Sequence, residues 1–276
     1  MSRSAGISVY ATELAFAEEQ ARRAGQLLAD RYERVERIRR KSRRDVVTEV
    51  DYASEQLILD AIRATYPEDT ILAEESGRHG ADGAAGRMWV VDPLDGTVNY
   101  ANGIPFFCVS VAMVDKGRPA VGVVLDPLRD DRYQATQDGE AMLNGQPVRV
   151  STKRSLEDFV LNLAIIGRGG IGRERRIGKR IRIPRRMGSA ALSLAYVASG
   201  RFDAFVQNGG LSLWDVAAAG LIAERAGAKV TDLSGGPWWD AEKRSSRITL
   251  VAAPLRQHGE LLELLVSERV TPHTRR

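Results

Sequence analysis

The segment that most restricts how this chain folds is Trp89-Val-Val-Asp92-Pro93-Leu94-Asp95-Gly96-Thr97. An apolar run stops at two carboxylates three residues apart. Pro93 holds Asp92 extended and donates no backbone hydrogen bond. The chain must turn there, and the turn can aim Asp92, Asp95 and the Leu94 carbonyl at one point. Three converging oxygens suit a hard cation such as Mg²⁺. Gly96 and Thr97 then offer backbone N–H groups free of bulk. If a helix begins there, they form a phosphate seat beside the metal. For Asp-Pro or Asp-Gly alone the reading is a turn with an Asp N-cap. The whole hexapeptide behind an apolar strand is a rarer event.

Other acidic groups fit the same site. Glu74-Glu75-Ser76-Gly77 follows the apolar run Thr70–Ala73. Asp45-Val-Val-Thr48-Glu-Val-Asp51 precedes a helix, where Thr48 or Asp51 alone reads as an N-cap. Trp214-Asp215 opens an Ala-rich helix, again a place for an N-cap.

Taken in order, DVVTEVD at 45–51, AEESG at 73–77, DPLDGT at 92–97, GSAAL at 188–192 and WDVAAAG at 214–220 resemble the inositol monophosphatase family. The resemblance runs from the first helix to about Ala252. It implies a Mg²⁺-dependent, lithium-sensitive phosphomonoesterase. The implied fold is α+β or α/β, a layered α/β/α/β/α sandwich of the inositol monophosphatase and fructose-1,6-bisphosphatase type, usually a homodimer. Carried over residue by residue, Glu74, Asp92 and the Leu94 carbonyl would hold a first metal. Asp92, Asp95 and Asp215 would hold a second. Asp51 and Glu74 would help hold a third through water, giving two to three Mg²⁺ per site. Thr97 would orient the attacking water, polarised by Asp51 and Glu74. The N–H groups of Gly96 and Thr97 would hold the phosphate. Asp95, Gly188, Ser189, Ala190 and Gln207 complete the implied substrate contacts.

The chemistry is consistent with the residue budget. Phosphate monoesters hydrolyse extremely slowly unaided. Paired cations can clamp the attacking and leaving oxygens and activate water, with no His, Ser or Cys nucleophile. The chain has one cysteine, Cys108, and three histidines, His79, His258 and His273. One cysteine excludes an intrachain disulfide and a thiolate zinc cage. Cys108 sits in an apolar run and reads as a core residue, and His79 as a surface one.

At about 150 residues per domain, 276 residues make two domains or two halves of one. The composition shifts near 151–154, which divides the chain into an N-terminal α+β half, 1–152, with most metal ligands, and a C-terminal α/β half, 153–276, completing the site. Apolar residues at steps of three and four from Leu14 to Val35 predict one amphipathic helix from Ser8 to about Arg40. Helices are also predicted over 51–65, 189–199, 214–227 and 258–268. Strands are predicted over 70–73, 88–91, 106–114, 120–125, 132–136, 141–150, 159–166, 202–206 and 248–252, with turn signals at Lys116–Gly117, Asp138–Gly139 and Asn144–Gly145. Met1 to about Ile7 is small and polar and is expected to fray. The uncharged stretch 96–114 contains Gly96, Asn99, Asn102, Gly103 and Pro105, so no membrane span is expected. The first ten residues lack a signal-peptide core, and a cytoplasmic protein is expected.

Substrate choice is less constrained. In the inositol-directed branch the strand before Trp-Asp usually ends in a Glu that meets a ring hydroxyl. Gln207 stands there instead, and it can still hydrogen-bond a hydroxyl. The run Thr97-Val98-Asn99-Tyr100 resembles that branch, so inositol 1-phosphate or a related sugar phosphate is the expected substrate. Fructose 1,6-bisphosphate and 3′-phosphoadenosine 5′-phosphate are the alternatives. Nine cations lie in 168–186: Arg168, Arg173, Arg175, Arg176, Lys179, Arg180, Arg182, Arg185 and Arg186, opposed by Glu174. A solvated basic face is the plain reading. Capture of a second phosphate, anion steering, and a nucleic-acid or protein-binding module are the functional ones. The formal net charge of +4 is compatible with each. No aromatic residue interleaves the cations, so stacking on single strands is not expected. Gly167-Arg-Gly169-Gly-Ile-Gly172 matches GxGxxG but lacks the acidic residue about twenty positions on that a dinucleotide fold needs. Trp238-Trp239 caps an edge of the fold or lines an interface.

Overall fold

A computed structural model describes residues 8–34, 38–40, 46–80, 86–165, 170–242 and 247–266. The helices are α1 (Ala11–Arg31), α2 (Glu49–Thr65), α3 (Thr97–Ala101), α4 (Gly170–Gly178), α5 (Ala190–Ala198), α6 (Leu213–Arg225) and α7 (Leu255–Val266). The strands of the first half are β1 (Ile38–Arg40), β2 (Val46–Thr48), β3 (Thr70–Ala73), β4 (Gly77–His79), β5 (Met88–Asp95), β6 (Cys108–Asp115), β7 (Arg118–Asp126), β8 (Asp131–Thr136), β9 (Met142–Leu143) and β10 (Gln146–Pro147). Those of the second are β11 (Val160–Ala164), β12 (Ile183–Arg185), β13 (Ala204–Leu211), β14 (Ala228–Thr231) and β15 (Ile248–Pro254).

An eight-stranded sheet has the order β10-β9-β8-β7-β6-β5-β3-β4, and a five-stranded sheet the order β12-β11-β13-β15-β14. Strand alternation sends successive side chains of β5 to different cores. Trp89 and Val91 meet the Ala17, Ala21, Ala24 and Leu28 stripe of α1 and Ile58 and Ile62 of α2. Met88 and Val90 face the other way, toward α5 and α6, which fill the space up to Phe205, Leu250 and Ala252 of the small sheet. The outer face of that sheet, Leu161, Leu163, Val206 and Val251, is covered by Leu261 and Leu265 of α7 and Ile177 of α4. The layers alternate α/β/α/β/α, the architecture the resemblance implies.

The middle layer is thin because its residues are small. A Cβ on Gly122 of β7 would stand 2.8 Å from the Ala218 carbonyl of α6, so bare backbone lies on bare backbone. On another side of α6, a Cβ on Gly220 would stand 2.5 Å from the Trp238 ring. Trp238 is buried, its Nε1 donating to Glu224 at 2.8 Å, while Trp239 Nε1 donates to the Gly117 carbonyl at 2.9 Å. The tryptophan pair caps the edge where α6 meets the β6–β7 turn.

Several sequence expectations need correcting. The first helix stops at Arg31, and Ile38–Arg40 pairs antiparallel with Val46–Thr48. Glu33, Arg34, Ile38 and Arg39 are exposed and offer the core nothing, and the backbone of Ile38–Arg40 is satisfied by pairing with β2 instead of by a helix. The strand expected to end at Val91 continues to Asp95. The run 141–150 is a short hairpin, β9 and β10, not one strand. Its turn has φ of 49° at Asn144 and 78° at Gly145, as a two-residue hairpin turn requires. Strands β4, β12 and β14 were not anticipated. Among the described residues no helix is long and apolar enough to cross a membrane. Met1–Ile7, Val35, Asp45, 166–169 with Arg168 and the start of the GxGxxG match, and His273 lie outside the described residues.

Candidate active site

β3 and β5 pair in parallel, with Ala73 opposite Val91. Their C-terminal ends reach the same edge, so Glu74 and Asp92 become neighbours. The Glu74 N–H donates to the Val91 carbonyl at 3.2 Å. β5 also pairs with β6, and there the register slips: Asp92 faces Ser110 while Asp95 faces Cys108. Three steps against two make a bulge, placed where Pro93 has no N–H to offer. In a regular strand, residues i and i+3 point to opposite faces. The extra residue reverses that parity and turns both carboxylates to one side.

α6 delivers the third carboxylate. Ser212, not Asp215, is its N-cap, and Asp215 Oδ2 accepts the Ser212 N–H at 2.6 Å from the third helical position. One oxygen from each of Asp92, Asp95 and Asp215 lies within 4.8 Å of the others. α2 begins in the same way. Thr48 is the N-cap and Asp51 the third residue, with Asp51 Oδ2 accepting the Thr48 N–H at 2.8 Å. Asp51 Oδ1 accepts from Thr97 Oγ1 at 2.9 Å, and the same hydroxyl reaches the Leu94 carbonyl at 3.0 Å.

The cluster is electrostatically uncomfortable. Asp92 is 1% exposed, and no donor reaches its Oδ2. Its Oδ1 accepts the Leu94 N–H at 3.0 Å. Burial first, then the charges of Glu74, Asp95 and Asp215, hold the Asp92 carboxyl well above the usual range. Burial raises Asp95 too, opposed by hydrogen bonds from Ser189 Oγ and from N–H groups at the start of α5. Ser189 Oγ and the Ala191 N–H both donate to Asp95 Oδ2 at 2.6 Å. Cys108 is a core residue, as expected, with its sulfur 3.8 Å from Asp95 Oδ2. Burial pushes its thiol up. His79 is half-buried against Ser76, with Nε2 2.6 Å from the hydroxyl.

A cavity of about 430 Å³ opens beside the cluster, lined by Asp95, Asp215, Gly188, Ser189, Ala190 and Gln207 among others. Of the sequence-read substrate contacts, Asp95, Gly188, Ser189, Ala190 and Gln207 line this cavity, while Gly96 and Thr97 are not in its lining. Gly96, in the left-handed region at φ 102°, sits where a Cβ would meet the Phe106 carbonyl at 3.1 Å and Ser189 Cβ at 3.2 Å. Gln207 folds back: its Nε2 donates to the Gly209 carbonyl at 3.1 Å, inside a bulge of β13.

Sequence reading missed the residues that brace the site. Ser54 Oγ donates to the Pro93 carbonyl at 2.9 Å, and Glu55 accepts the Glu75 N–H at 2.8 Å. Both are buried at i+3 and i+4 from Asp51, a polar strip on one helix face that could have flagged them. Asn99 Nδ2 bridges the Phe106 and Met187 carbonyls, each at 2.7 Å, tying α3 to the segment between β12 and α5. Asn162 also lines the cavity, and nothing in its local sequence marks it; Arg186, one of the cations of the basic segment, lines it too.

The sequence model of the inositol monophosphatase family matches residues 10–271. A Nus factor SuhB of Pseudomonas aeruginosa is 42% identical over 232 residues, covering 78% of this chain and 83% of the relative. That of Escherichia coli is 42% identical, covering 81% and 86%. The extragenic suppressor protein suhB from Bartonella henselae superposes with a TM-score of 0.86 at 32% identity, covering 93% and 99% of the two chains. An IMPase of Thermotoga maritima gives 0.83 at 34% identity, covering 92% and 96%.

Proposed function

The chain belongs to the inositol monophosphatase family, and on that premise we propose that it hydrolyses a small phosphomonoester with Mg²⁺, inositol 1-phosphate or a related sugar phosphate being the substrate class. The observation that carries this reading is Asp92 Oδ2, a buried oxygen with no donor, beside ligand oxygens of Asp95 and Asp215. Buried carboxylates are paired or bind cations, and an all-oxygen donor set fits Mg²⁺. Glu74, Asp92, the Leu94 carbonyl, Asp95 and Asp215 would hold two to three ions. Bound there, Mg²⁺ would polarise the phosphoryl oxygens and lower the pKa of water to make a nucleophile at neutral pH.

The chain's own groups do the positioning. Thr97 Oγ1 donates toward Asp51 Oδ1, so its lone pairs are left to accept from the attacking water. A proton leaving that water at Thr97 Oγ1 has Asp51 Oδ1 as its relay, and Glu74 polarises the same water. The N–H groups of Gly96 and Thr97 hold phosphate oxygens, the turn that presents them depending on a glycine at φ 102° packed against Phe106, Phe107 and Ser189. Ser189 and the start of α5 aim Asp95. The reading extends to sensitivity to Li⁺, a homodimer and a cytoplasmic location.

The test is phosphate release with and without Mg²⁺ on inositol 1-phosphate and sugar phosphates, for the wild type and Asp92→Asn. Release that needs Mg²⁺ and collapses in the variant supports the reading. Metal-dependent release that survives the substitution sinks it. A second reading, contact with a nucleic acid or protein through the Arg-rich segment, is favoured by the Nus factor name of the relatives and by the exposure of Arg175, Lys179, Arg180, Arg182 and Arg185. It requires salt-sensitive binding that Arg175/Arg180 substitutions abolish.

A further inference from the structure

A second cavity, of about 520 Å³, lies at the far end of α6 from the acidic cluster. Glu224 in its lining follows Asp215 on that helix by nine residues, about 14 Å along the axis. Arg118, Thr231, Trp238 and Trp239 line it as well, and none of them lines the cavity beside the cluster. Its rim is braced from within. Asp232 Oδ1 accepts the Ser234 and Gly236 N–H groups at 2.8 and 2.9 Å, which fixes the Gly235–Gly236 edge. The two indoles meet at 66°, with ring centroids 5.8 Å apart. Trp238 packs on Gly220, and the half-buried Trp239 is held by its Nε1 on the Gly117 carbonyl. The Trp239 ring is thus a fixed apolar wall.

Two opposite charges share this space without meeting. Glu224 Oε1 accepts from Trp238 Nε1 at 2.8 Å, and among the described residues no donor reaches its Oε2. Burial holds the Glu224 carboxyl above its ordinary range, against the Trp238 hydrogen bond and the charges of Arg118 and Arg225. Arg225 is engaged elsewhere, its Nε donating to the Gly139 carbonyl. Arg118 is exposed, and among the described residues its guanidinium pairs with no carboxylate, Glu224 included. A lone cation in the cavity satisfies Glu224 and is repelled by Arg118, and a lone anion meets the reverse. A molecule carrying both charges satisfies each. Its carboxylate matches the planar guanidinium fork, and its ammonium supplies donors to Glu224. An aromatic side chain adds an offset or edge-to-face contact with Trp239.

We infer that this cavity binds a free amino acid with an aromatic side chain, its ammonium on Glu224, its carboxylate on Arg118 and its ring against Trp239. None of these three residues belongs to the acidic cluster, so the site stands whether or not the chain is a phosphatase.

The experiment is titration calorimetry of the full chain with L-phenylalanine, phenethylamine and 3-phenylpropionate, for the wild type, Glu224→Gln and Arg118→Ala, with thermal melts as a folding check. The amine lacks the carboxylate and the acid lacks the ammonium. Phenylalanine should bind, and each single-charge probe should bind about tenfold or more weakly, in line with loss of a charge-assisted hydrogen bond. Glu224→Gln keeps an acceptor for Trp238 Nε1. It should weaken phenylalanine about tenfold and leave 3-phenylpropionate no weaker. Arg118→Ala should weaken phenylalanine similarly and leave phenethylamine no weaker. No binding of phenylalanine at about 10 mM overturns the inference. So does a single-charge probe that matches phenylalanine, or a folded variant that binds it as the wild type does. If Glu224→Gln fails to fold, the three probes on the wild type and the exposed Arg118→Ala still decide.

Discussion

Replacing Asp92 by Asn should stabilise the metal-free protein while destroying its activity. Asp92 shares a 4.8 Å sphere with oxygens of Asp95 and Asp215. At that separation two full charges repel by about 3.5 kcal/mol at an effective dielectric of about 20. Part of this is avoided by proton uptake, because burial and its neighbours hold Asp92 well above the usual carboxylate range. The net relief is therefore about 1–3 kcal/mol. Asn is nearly isosteric. Its oxygen can keep the Leu94 N–H, and its amide can donate from the position of Oδ2, the atom no donor now reaches. Thermal melts in chelator should thus place the variant above wild type by several degrees, at about 2–4 °C per kcal/mol for a chain of this size. In excess Mg²⁺ the order should reverse, since a ligand bound at 100 times its Kd adds about 2.7 kcal/mol to the form that holds it. Phosphate release should fall at least about 1,000-fold. A variant less stable than wild type in chelator refutes the argument that these carboxylates strain against one another.

Thr97→Val removes the hydroxyl that reaches Asp51 and Leu94, and kcat should fall about 100- to 10,000-fold with KM little changed. Thr97→Ser should retain most activity in the same assay. Gly188→Ala puts a methyl at φ 83°, with the Asn99 amide 3.0 Å away. Urea denaturation should show a loss of about 1–3 kcal/mol. His258 is buried, and its pKa is lowered to about 4, chiefly by burial and then by Lys229. Between pH 6.5 and 4 the unfolded chain takes up a proton that the native one refuses. Stability should therefore fall by about 1–2 kcal/mol from pH 7 to pH 5, a slope that His258→Gln should flatten in denaturation curves at the two pH values.

The local chemistry of the candidate site was legible in the sequence because its carboxylates cluster at element ends. Asp92 and Asp95 flank a proline, Glu74 follows an apolar run, and Asp51 and Asp215 open helices. What stayed hidden was long-range geometry. No local pattern announces the slip between β5 and β6 that turns Asp92 and Asp95 to one side, because it exists only as a pairing. The run to Arg40 reads as helix by composition, whereas α1 ends at Arg31 and Ile38–Arg40 pairs with Val46–Thr48. Taken alone, the helix openings offered Thr48 or Asp51, and Asp215, as N-caps, beside the metal and catalytic roles the resemblance implies for the two aspartates. Spacing alone does not separate a cap from the third residue of a capping box until the partner is seen, Thr48 for one and Ser212 for the other. The layered architecture came from the family resemblance, and the alternating burial along β5 gives its physical basis.

The contact between Gly122 and Ala218 sets a mechanical tolerance for the whole site. At that point backbone lies on backbone, with no side chain on residue 122 to absorb a misfit. α6 carries Asp215 at its first turn, so the gauge of the acidic cluster is cut on a strand that contributes no carboxylate to it. A single methyl at residue 122 would act as a shim, lifting the helix and opening the gap between Asp215 and its two partners. The accuracy of the centre is thus machined at a distance, by an atom that is missing.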